Sequence, residues 1–320
     1  MKRRAAHFII FSFLIMFCGC VTEQQETTEI NPKEVMKSSI EDIYPYAEIL
    51  RHRSNSATVN NYTSAVHSDK DGKNRCITFY RSGNKIHTKC IDDGSINIVT
   101  LPPPGTDINA DGIPDIIVEY YSGGAHCCYE YALYSLGDKL NMYARLYGGD
   151  SPMEFKDIDD DGDYEVVGKD WTFAYWHECF AASPAPQIIL RYEKGRFRLA
   201  ENLMRISPPD EGTLVISAEN LKRDVIDNRI KMTTEPVPDG YIRLNDPTTS
   251  WHWDSRLWWG MLDLIYTGNG DLAWKYCDWY WSDKDEPIFP ADRKKFLREF
   301  KKNLSRSPYW GDLKKMNRWQ

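Results

Sequence analysis

The chain has 320 residues, of which 42% are hydrophobic and 27% are charged, with 20 Gly and 17 Pro. This composition excludes a collagen-like chain, a wholly disordered chain and a small disulfide-only protein, and it leaves globular material for about two domains. The formal net charge of −7 argues against general nucleic-acid binding. Eleven Trp and nineteen Tyr predict an unusually aromatic core or surface.

The first twenty residues have the organisation of an export signal. Residues 2–4 are basic, and residues 8–17 form an apolar run that is too short to span a bilayer as a helix. Gly19 then stands directly before Cys20, which resembles the lipoprotein box of bacterial envelope proteins. We therefore predict a signal peptide over residues 1–19 and lipidation of Cys20, with a plain secretory peptide as the alternative.

The lipoprotein resemblance implies an exported protein that is anchored to the cell envelope through the lipid on Cys20. Val21 is not the Asp that would suggest retention in the inner membrane, so the outer membrane is favoured if the cell has two membranes. Residues 20–45 are polar with few aromatic side chains, and we predict that they form a flexible tether.

Residues 46–205 show the short apolar runs and turn residues of a β-rich domain. Within them, residues 75–90 predict a hairpin that turns at Gly83, which places Cys76 opposite Cys90. Directly opposed strand residues can meet the Cα separation of a disulfide, and such bonds persist in an exported protein. We predict a Cys76–Cys90 disulfide, with two buried thiols as the alternative.

Two loops that start fifty residues apart repeat the pattern D-x-[DN]-x-D-G-x-x-[DE]. Side-chain oxygens at positions 1, 3, 5 and 9, joined by the backbone carbonyl of position 7, can converge on one hard cation, and Gly at position 6 permits the sharp turn. The predicted ligands are Asp107, Asn109, Asp111, Ile113 and Asp115 in loop 1 (residues 107–115), and Asp157, Asp159, Asp161, Asp163 and Glu165 in loop 2 (residues 157–165).

Calcium is the cofactor that this pattern favours. It accepts roughly six to eight oxygen ligands, whereas magnesium demands a stricter octahedron and keeps more water. Residues 107–165 contain fourteen acidic and three basic side chains, so their carboxylates would repel one another without a cation. An Asp/Gly turn that caps strands without a metal is the alternative for each loop.

The loops differ from an EF-hand, which needs Glu at position 12, where this chain has Val118 and Gly168. They are similar to the calcium loops of FG-GAP (VCBS-like) repeats, although the FG and GAP tripeptides are absent. This resemblance implies a small or partial β-propeller. The predicted fold class is therefore α+β, with a β-rich domain of FG-GAP-like repeats followed by a small C-terminal helical region.

A His/Cys cluster follows each loop, with His126, Cys127 and Cys128 after loop 1 and His177 and Cys179 after loop 2. Adjacent strand residues point to opposite faces, so Cys127 and Cys128 cannot easily bind one metal ion together. We favour a disulfide from Cys127 or Cys128 to Cys179 over a zinc site or a Cys/His nucleophile. The sequence contains no G-x-S-x-G, H-E-x-x-H or Walker motif.

Residues 206–249 are predicted to connect the β-rich domain to a Trp-rich helical region over residues 250–320, and to contain one strand or helix. Apolar residues at helical spacing predict helices near residues 257–265, 271–282 and 296–304. Seven of the eleven Trp fall in or just before the first two of these helices, where packing is their expected role.

The last predicted helix carries several basic side chains next to its apolar residues. A solvated helix face is the default interpretation, and contact with anionic lipid or an envelope polymer is the alternative. The basic residues are Lys294, Lys295, Arg298, Lys301 and Lys302.

Together these features predict a lipid-anchored, calcium-stabilised binding or structural module of the bacterial cell envelope, and they favour no catalytic residue. One alternative is an envelope or extracellular hydrolase that uses the His/Cys clusters or the loop carboxylates. Another is a carbohydrate-binding module that uses the Trp cluster. The expected partners are the membrane, through the lipid on Cys20, and an envelope polymer or protein.

Overall fold

The computed structural model of the protein describes residues 49–124, 127–234, 253–281 and 292–319. The predicted signal peptide, Cys20, the whole tether region and His126 lie outside these ranges. The described residues belong to one compact unit, Pro45–Gln320. None of the described helices is both long and apolar enough to cross a membrane.

The described part of the chain contains thirteen β-strands. They are β1 Arg53–Ser54, β2 Ser56–Val59, β3 Tyr62–Ser68, β4 Arg75–Arg81, β5 Asn84–Ile91, β6 Ser95–Val99, β7 Asp115–Gly124, β8 Cys127–Leu136, β9 Leu140–Gly149, β10 Glu154–Lys156, β11 Glu165–Lys169, β12 Gln187–Glu193 and β13 Arg196–Leu199. Three antiparallel sheets result: sheet A in the order β1-β6-β7-β8-β9, sheet B in the order β2-β3-β4-β5, and sheet C in the order β10-β11-β12-β13.

The helices follow the strands along the chain. They are α1 Glu201–Met204, α2 Glu211–Thr234, α3 Ser255–Tyr266, α4 Gly270–Tyr280, α5 Asp292–Leu304 and α6 Trp310–Met316. Helices α3, α4 and α5 confirm the three predicted C-terminal helices, and α2 is the helix of the connecting region. The sequence pattern does not predict α6. The α+β class is confirmed, whereas the propeller arrangement stays a prediction.

Sheet B contains the predicted hairpin. Strands β4 and β5 turn at Ser82 and Gly83, where Gly83 adopts a φ of +81° that favours glycine. Cys76 lies opposite Cys90 in the register, and the two residues form a disulfide. The prediction of this bond is confirmed. The turn alone does not set the pairing, because an irregularity between Phe79 and Tyr80 shifts the register by one residue and brings Cys76 opposite Cys90.

Two apolar clusters form the core of the described residues. The smaller one lies between sheets A and B, with Phe79 and Ile77 of β4 packed against Ile98 and Val118 of sheet A. The larger one joins sheets A and C to the helices. The strands before residue 205 and the helices after it therefore share one hydrophobic core.

Asp170, which directly follows β11, connects sheet C to the helices. This carboxylate is 4% exposed. Tyr266 of α3 and Ser307 each donate a hydroxyl hydrogen bond to Oδ2 at 2.6 Å, and Thr172 donates its backbone N–H to Oδ1 at 2.9 Å. These donors offset the cost of burying the charge, and they do so only when the helices are docked.

The Trp side chains of α3 and of the segment before it pack in the larger cluster. Trp258 is fully buried and Trp253 is 7% exposed. The ring of Trp176 meets Trp258 edge to face at 5.1 Å, and Trp253 meets Phe296 of α5 in the same way at 5.1 Å. The expected packing role is confirmed for Trp253 and Trp258, while Trp251 lies outside the described residues.

Replacing Tyr266 by Phe should test the docking of the helices. The substitution removes one hydroxyl donor from the buried Asp170 carboxylate, so we expect the free energy of unfolding to fall by about 1.5 to 3 kcal/mol in urea titration. Tyr175→Phe is the matched control, because Tyr175 is 60% exposed; its change should stay within about 0.5 kcal/mol. Equal effects of the two substitutions would contradict the role given to Asp170.

Candidate functional site

Loops 1 and 2 have the same backbone conformation at matching positions. Position 4 is left-handed in both, with φ of 55° at Ala110 and 58° at Asp160. Position 6 is a glycine with φ of 80° at Gly112 and 93° at Gly162, a conformation that side chains other than Gly rarely adopt. The repeated pattern therefore encodes a repeated local structure.

The hydrogen bonds inside the two loops also correspond. In loop 1 the carboxylate of Asp107 accepts the backbone N–H groups of Asp111 at 3.2 Å and Gly112 at 2.7 Å. The matching distances in loop 2 are 3.1 and 2.9 Å. The position-5 carboxylate accepts the N–H of position 7 at 2.9 Å in loop 1 and 3.0 Å in loop 2. These bonds hold the acidic side chains on the inner side of each turn.

The position-9 carboxylate of each loop is the first residue of a buried strand. Asp115 begins β7 and is 1% exposed, and Glu165 begins β11 and is fully buried. Each accepts the backbone N–H of position 2, Asp115 from Ile108 at 2.9 Å and Glu165 from Ile158 at 3.0 Å. A buried carboxylate needs compensation for its lost hydration, and the two loops supply it differently.

In the part of the chain that the structure describes, no basic side chain forms an ion pair with Asp115 of loop 1. Its Oδ2 also accepts the hydroxyl of Tyr143 on β9 at 2.8 Å, but its Oδ1 is buried without a hydrogen-bond partner. Burial raises the pKa of Asp115 to about 6, and the nearby Asp111 and Asp107 add to this rise, against the opposing hydrogen bonds. A cation in the loop would neutralise this charge and supply a partner for Oδ1.

In loop 2 a basic side chain already compensates the acidic ones. Ligand atoms of Asp157, Asp159 and Glu165 lie within 4.8 Å of one another, which is the geometry of a metal-binding cluster. Arg191 of β12 reaches this cluster, with Nη2 at 2.8 and 3.0 Å from the two oxygens of Asp159 and Nε at 2.7 Å from Oε1 of Glu165. Its Nη2 also lies 3.3 Å from Oδ2 of Asp161.

The contact with the carboxylates shifts the pKa of Arg191. Burial lowers this pKa, but the hydrogen bonds that the guanidinium donates to Asp159 and Glu165 outweigh that effect and raise the pKa above its ordinary value. The guanidinium therefore stays charged and holds the carboxylates together. In loop 1 the carboxylates lack such a group, and among the described residues they do not form a second cluster of this closeness.

The structure brings part of the predicted ligand set together. The ten predicted ligand residues all lie in the two loops, and the structure brings three of them together in loop 2. Ile113 and Asp163 occupy position 7, where their N–H groups bond to the position-5 carboxylate. The acidic cluster of loop 2 can hold a metal ion. In loop 1, Oδ1 of Asp115 is buried without a hydrogen-bond partner, and a cation beside it would neutralise the charge.

The predicted disulfide to Cys179 is wrong. The Sγ atoms of Cys127 and Cys128 lie against each other, and Cys179 is an exposed free thiol. The prediction relied on strict alternation along a strand, but the register of β7 and β8 shifts just before this point, where Cys127 pairs with Gly124. Alternation does not hold across such an irregularity, so adjacent side chains can meet.

His177 does not join a metal-binding cluster among the described residues. The ring of His177 lies 4.7 Å from each of the Trp176 and Trp253 rings, and its Nε2 is 3.3 Å from Oε2 of Glu299 on α5. Packing and one acidic partner thus account for His177. His126 lies outside the described residues.

Arg191 and Tyr143 are the site residues that sequence reasoning missed. They lie 26 and 28 residues from the carboxylates that they contact. The only signal for Arg191 is a charged residue within the apolar run of β12, in which residues 188–190 are Ile, Ile and Leu. Such a residue needs an acidic partner when it faces the interior, but the sequence does not say which one.

Comparisons with known proteins place few limits on the function. No family model and no solved structure match the chain. A curated protein of Synechocystis sp. named "Probable thylakoid lumen protein" is 31% identical over 97 residues. The matched segment covers 28% of this chain and 28% of that protein.

Alkylation before and after unfolding should confirm the arrangement of the cysteines. In native protein without reductant, iodoacetamide should modify Cys179, which is exposed, but not Cys277, because burial raises the pKa of that thiol to about 12. After unfolding, both should react. Peptide mass mapping should find Cys76 joined to Cys90. A peptide linking Cys179 to Cys127 or Cys128 would contradict the structure.

Proposed function

We propose that the protein is a calcium-stabilised, non-catalytic binding or structural module of a bacterial cell envelope. The buried, unpartnered Oδ1 of Asp115 carries this proposal, because a charged oxygen at 1% exposure needs a cation or a donor. The surrounding loop offers carboxylate, amide and carbonyl oxygens, which are the ligands that calcium prefers. The FG-GAP-like pattern of both loops supports the same ion.

The geometry favours calcium over magnesium and over zinc. The loop oxygens come from side chains on a flexible turn, and calcium tolerates the irregular coordination that such a turn provides. Magnesium keeps several water molecules and needs a near-ideal octahedron. Zinc prefers Cys and His ligands, and the described loop residues supply none.

A non-catalytic role agrees with the engagement of the loop carboxylates. Those of Asp107 and Asp157 accept backbone N–H groups within their own loops, and Asp115 and Glu165 are buried at the start of strands. Hydrogen bonds within the loops and the start of the buried strands account for these four carboxylates without a catalytic role.

Export and lipid anchoring complete the proposal. The basic and apolar segments before Cys20 support export, as does the Cys76–Cys90 disulfide, because such bonds persist outside the reducing cytosol. The name of the partly matching relative, a thylakoid lumen protein, also denotes a compartment beyond a membrane. The envelope partner would be a polymer or a protein, and the membrane would be reached through the lipid on Cys20.

Calcium should raise the melting temperature of the chelated protein. Binding to the native state alone adds about 2.7 kcal/mol at a hundredfold excess over Kd, so several degrees are expected at millimolar calcium. Asp111→Ala should reduce the rise, and Asp111→Ala combined with Asp161→Ala should eliminate it. Magnesium at the same concentration should substitute poorly.

Asp93→Ala is the matched control for these substitutions. It removes an exposed carboxylate from the turn between β5 and β6, outside both loops, and should leave the calcium-dependent rise unchanged. If a chelator leaves the melting temperature of the unaltered protein where it was, and no calcium co-purifies, the loops act only as turns and the calcium proposal fails.

The lipid anchor is tested separately by replacing Cys20 with Ser. We expect the variant to lose lipidation and to leave the detergent phase on phase partitioning, as a soluble or an uncleaved form. Cys18→Ser is the matched control, since it alters the neighbouring cysteine and should keep the lipid. Partitioning of the Cys20→Ser protein as a processed lipoprotein would refute the anchor.

A further inference from the structure

The position-9 carboxylates of the two loops have different neighbours because the strands that pair with them carry different residues at the matching position. In sheet A, Asp115 of β7 lies opposite Ser135 of β8. In sheet C, Val166 lies opposite Leu190, which places Arg191 beside Glu165. Ser135 and Arg191 therefore hold corresponding positions. Each lies on the strand that follows, across from the position-9 carboxylate of its loop. A serine cannot supply a positive charge to its loop, and an arginine can.

Every carboxylate oxygen of the loop 2 cluster already has a donor. Asp157 accepts two backbone N–H groups, Asp159 receives Nη2 of Arg191 on both oxygens, and Glu165 receives Nε of Arg191 and the N–H of Ile158. No oxygen of this cluster resembles Oδ1 of Asp115, which is buried and has no partner. In loop 2 the chain itself thus supplies a hydrogen-bond donor to every oxygen of the cluster, whereas in loop 1 one oxygen of the position-9 carboxylate has none.

We propose that Arg191 is a tethered cation that occupies the ion position of loop 2, so that loop 1 is the principal calcium site and loop 2 takes calcium only when Arg191 withdraws. This inference rests on the proposed function, in which loop 1 binds calcium. The guanidinium contacts Asp159 and Glu165, two of the residues that would ligate the ion, and approaches Asp161, a third. A calcium ion and Arg191 therefore compete for the same oxygens.

The position of Arg191 on a strand strengthens the competition. Its neighbours on β12 are paired on both sides, with β11 and with β13, so the side chain starts from a backbone that the sheet holds in place. The side chain is 18% exposed, which leaves it a route to solvent when the ion enters. Release of Arg191 would turn loop 2 into a copy of loop 1.

Calcium stoichiometry measured by titration calorimetry on chelator-treated protein tests this proposal. We expect one calcium per chain in the unaltered protein below millimolar concentration. Arg191→Ser, which places the loop 1 residue type in loop 2, should bind a second calcium at least tenfold more tightly than the unaltered protein does. Arg196→Ser is the matched control: it removes the same charge from an exposed position on β13 and should leave the stoichiometry at one.

The outcomes separate this proposal from the calcium proposal. Two equal calcium sites in the unaltered protein, unchanged by Arg191→Ser, would overturn the role of Arg191 and leave the calcium function standing. One site that appears only in Arg191→Ser would support the role of Arg191 and refute loop 1. Absence of calcium from both proteins would refute both proposals.

A second variant covers the case in which Arg191→Ser does not fold. Asp111→Ala removes a ligand from loop 1 and leaves Arg191 in place, so it should abolish tight calcium binding. Retention of one tight site in Asp111→Ala would show that loop 2 is open to calcium while Arg191 is present, and would overturn the proposal.

Discussion

The burial of a carboxylate at the first residue of β7 and of β11 is the constraint on which the rest of the site depends. Asp115 and Glu165 must lie there because each closes its loop by accepting the N–H of position 2, and the strand that follows runs directly into the core. Burying such a charge costs several kcal/mol unless it is compensated. The proposed ion site follows from how each loop compensates this buried charge.

The same requirement appears at Asp170, where it is met without any cation. Hydroxyl groups from Tyr266 and Ser307 reach this buried carboxylate from the helical part of the chain. The charge of these three buried carboxylates is compensated in three ways: by hydroxyl donors at Asp170, by a guanidinium at Glu165, and incompletely at Asp115. The incomplete one is where an external ion contributes most, because there it meets an unpartnered charged oxygen.

Sequence patterns were reliable where the determining contacts are close in the chain. The Cys76–Cys90 bond joins the two strands of one hairpin, with a register shift between Phe79 and Tyr80 that aligns the cysteines, and the helices after residue 250 follow from apolar spacing. The Cys179 prediction failed because it needed the relative position of two distant segments and assumed regular alternation through Cys127 and Cys128. The register shift in β7–β8 removes that regularity, and the local sequence pattern does not predict the shift.

The sequence by itself determined the conformation of both loops, because each is held by hydrogen bonds between residues at most seven positions apart and by a glycine at its left-handed turn. Only the tertiary structure decided what neutralises them. Arg191 reaches Glu165 because antiparallel pairing of β11 and β12 sets the two side by side, and Tyr143 reaches Asp115 from β9, which is not adjacent to β7 in its sheet. Electrostatic compensation acts through space, so two segments with the same ligand pattern acquire different charges around them.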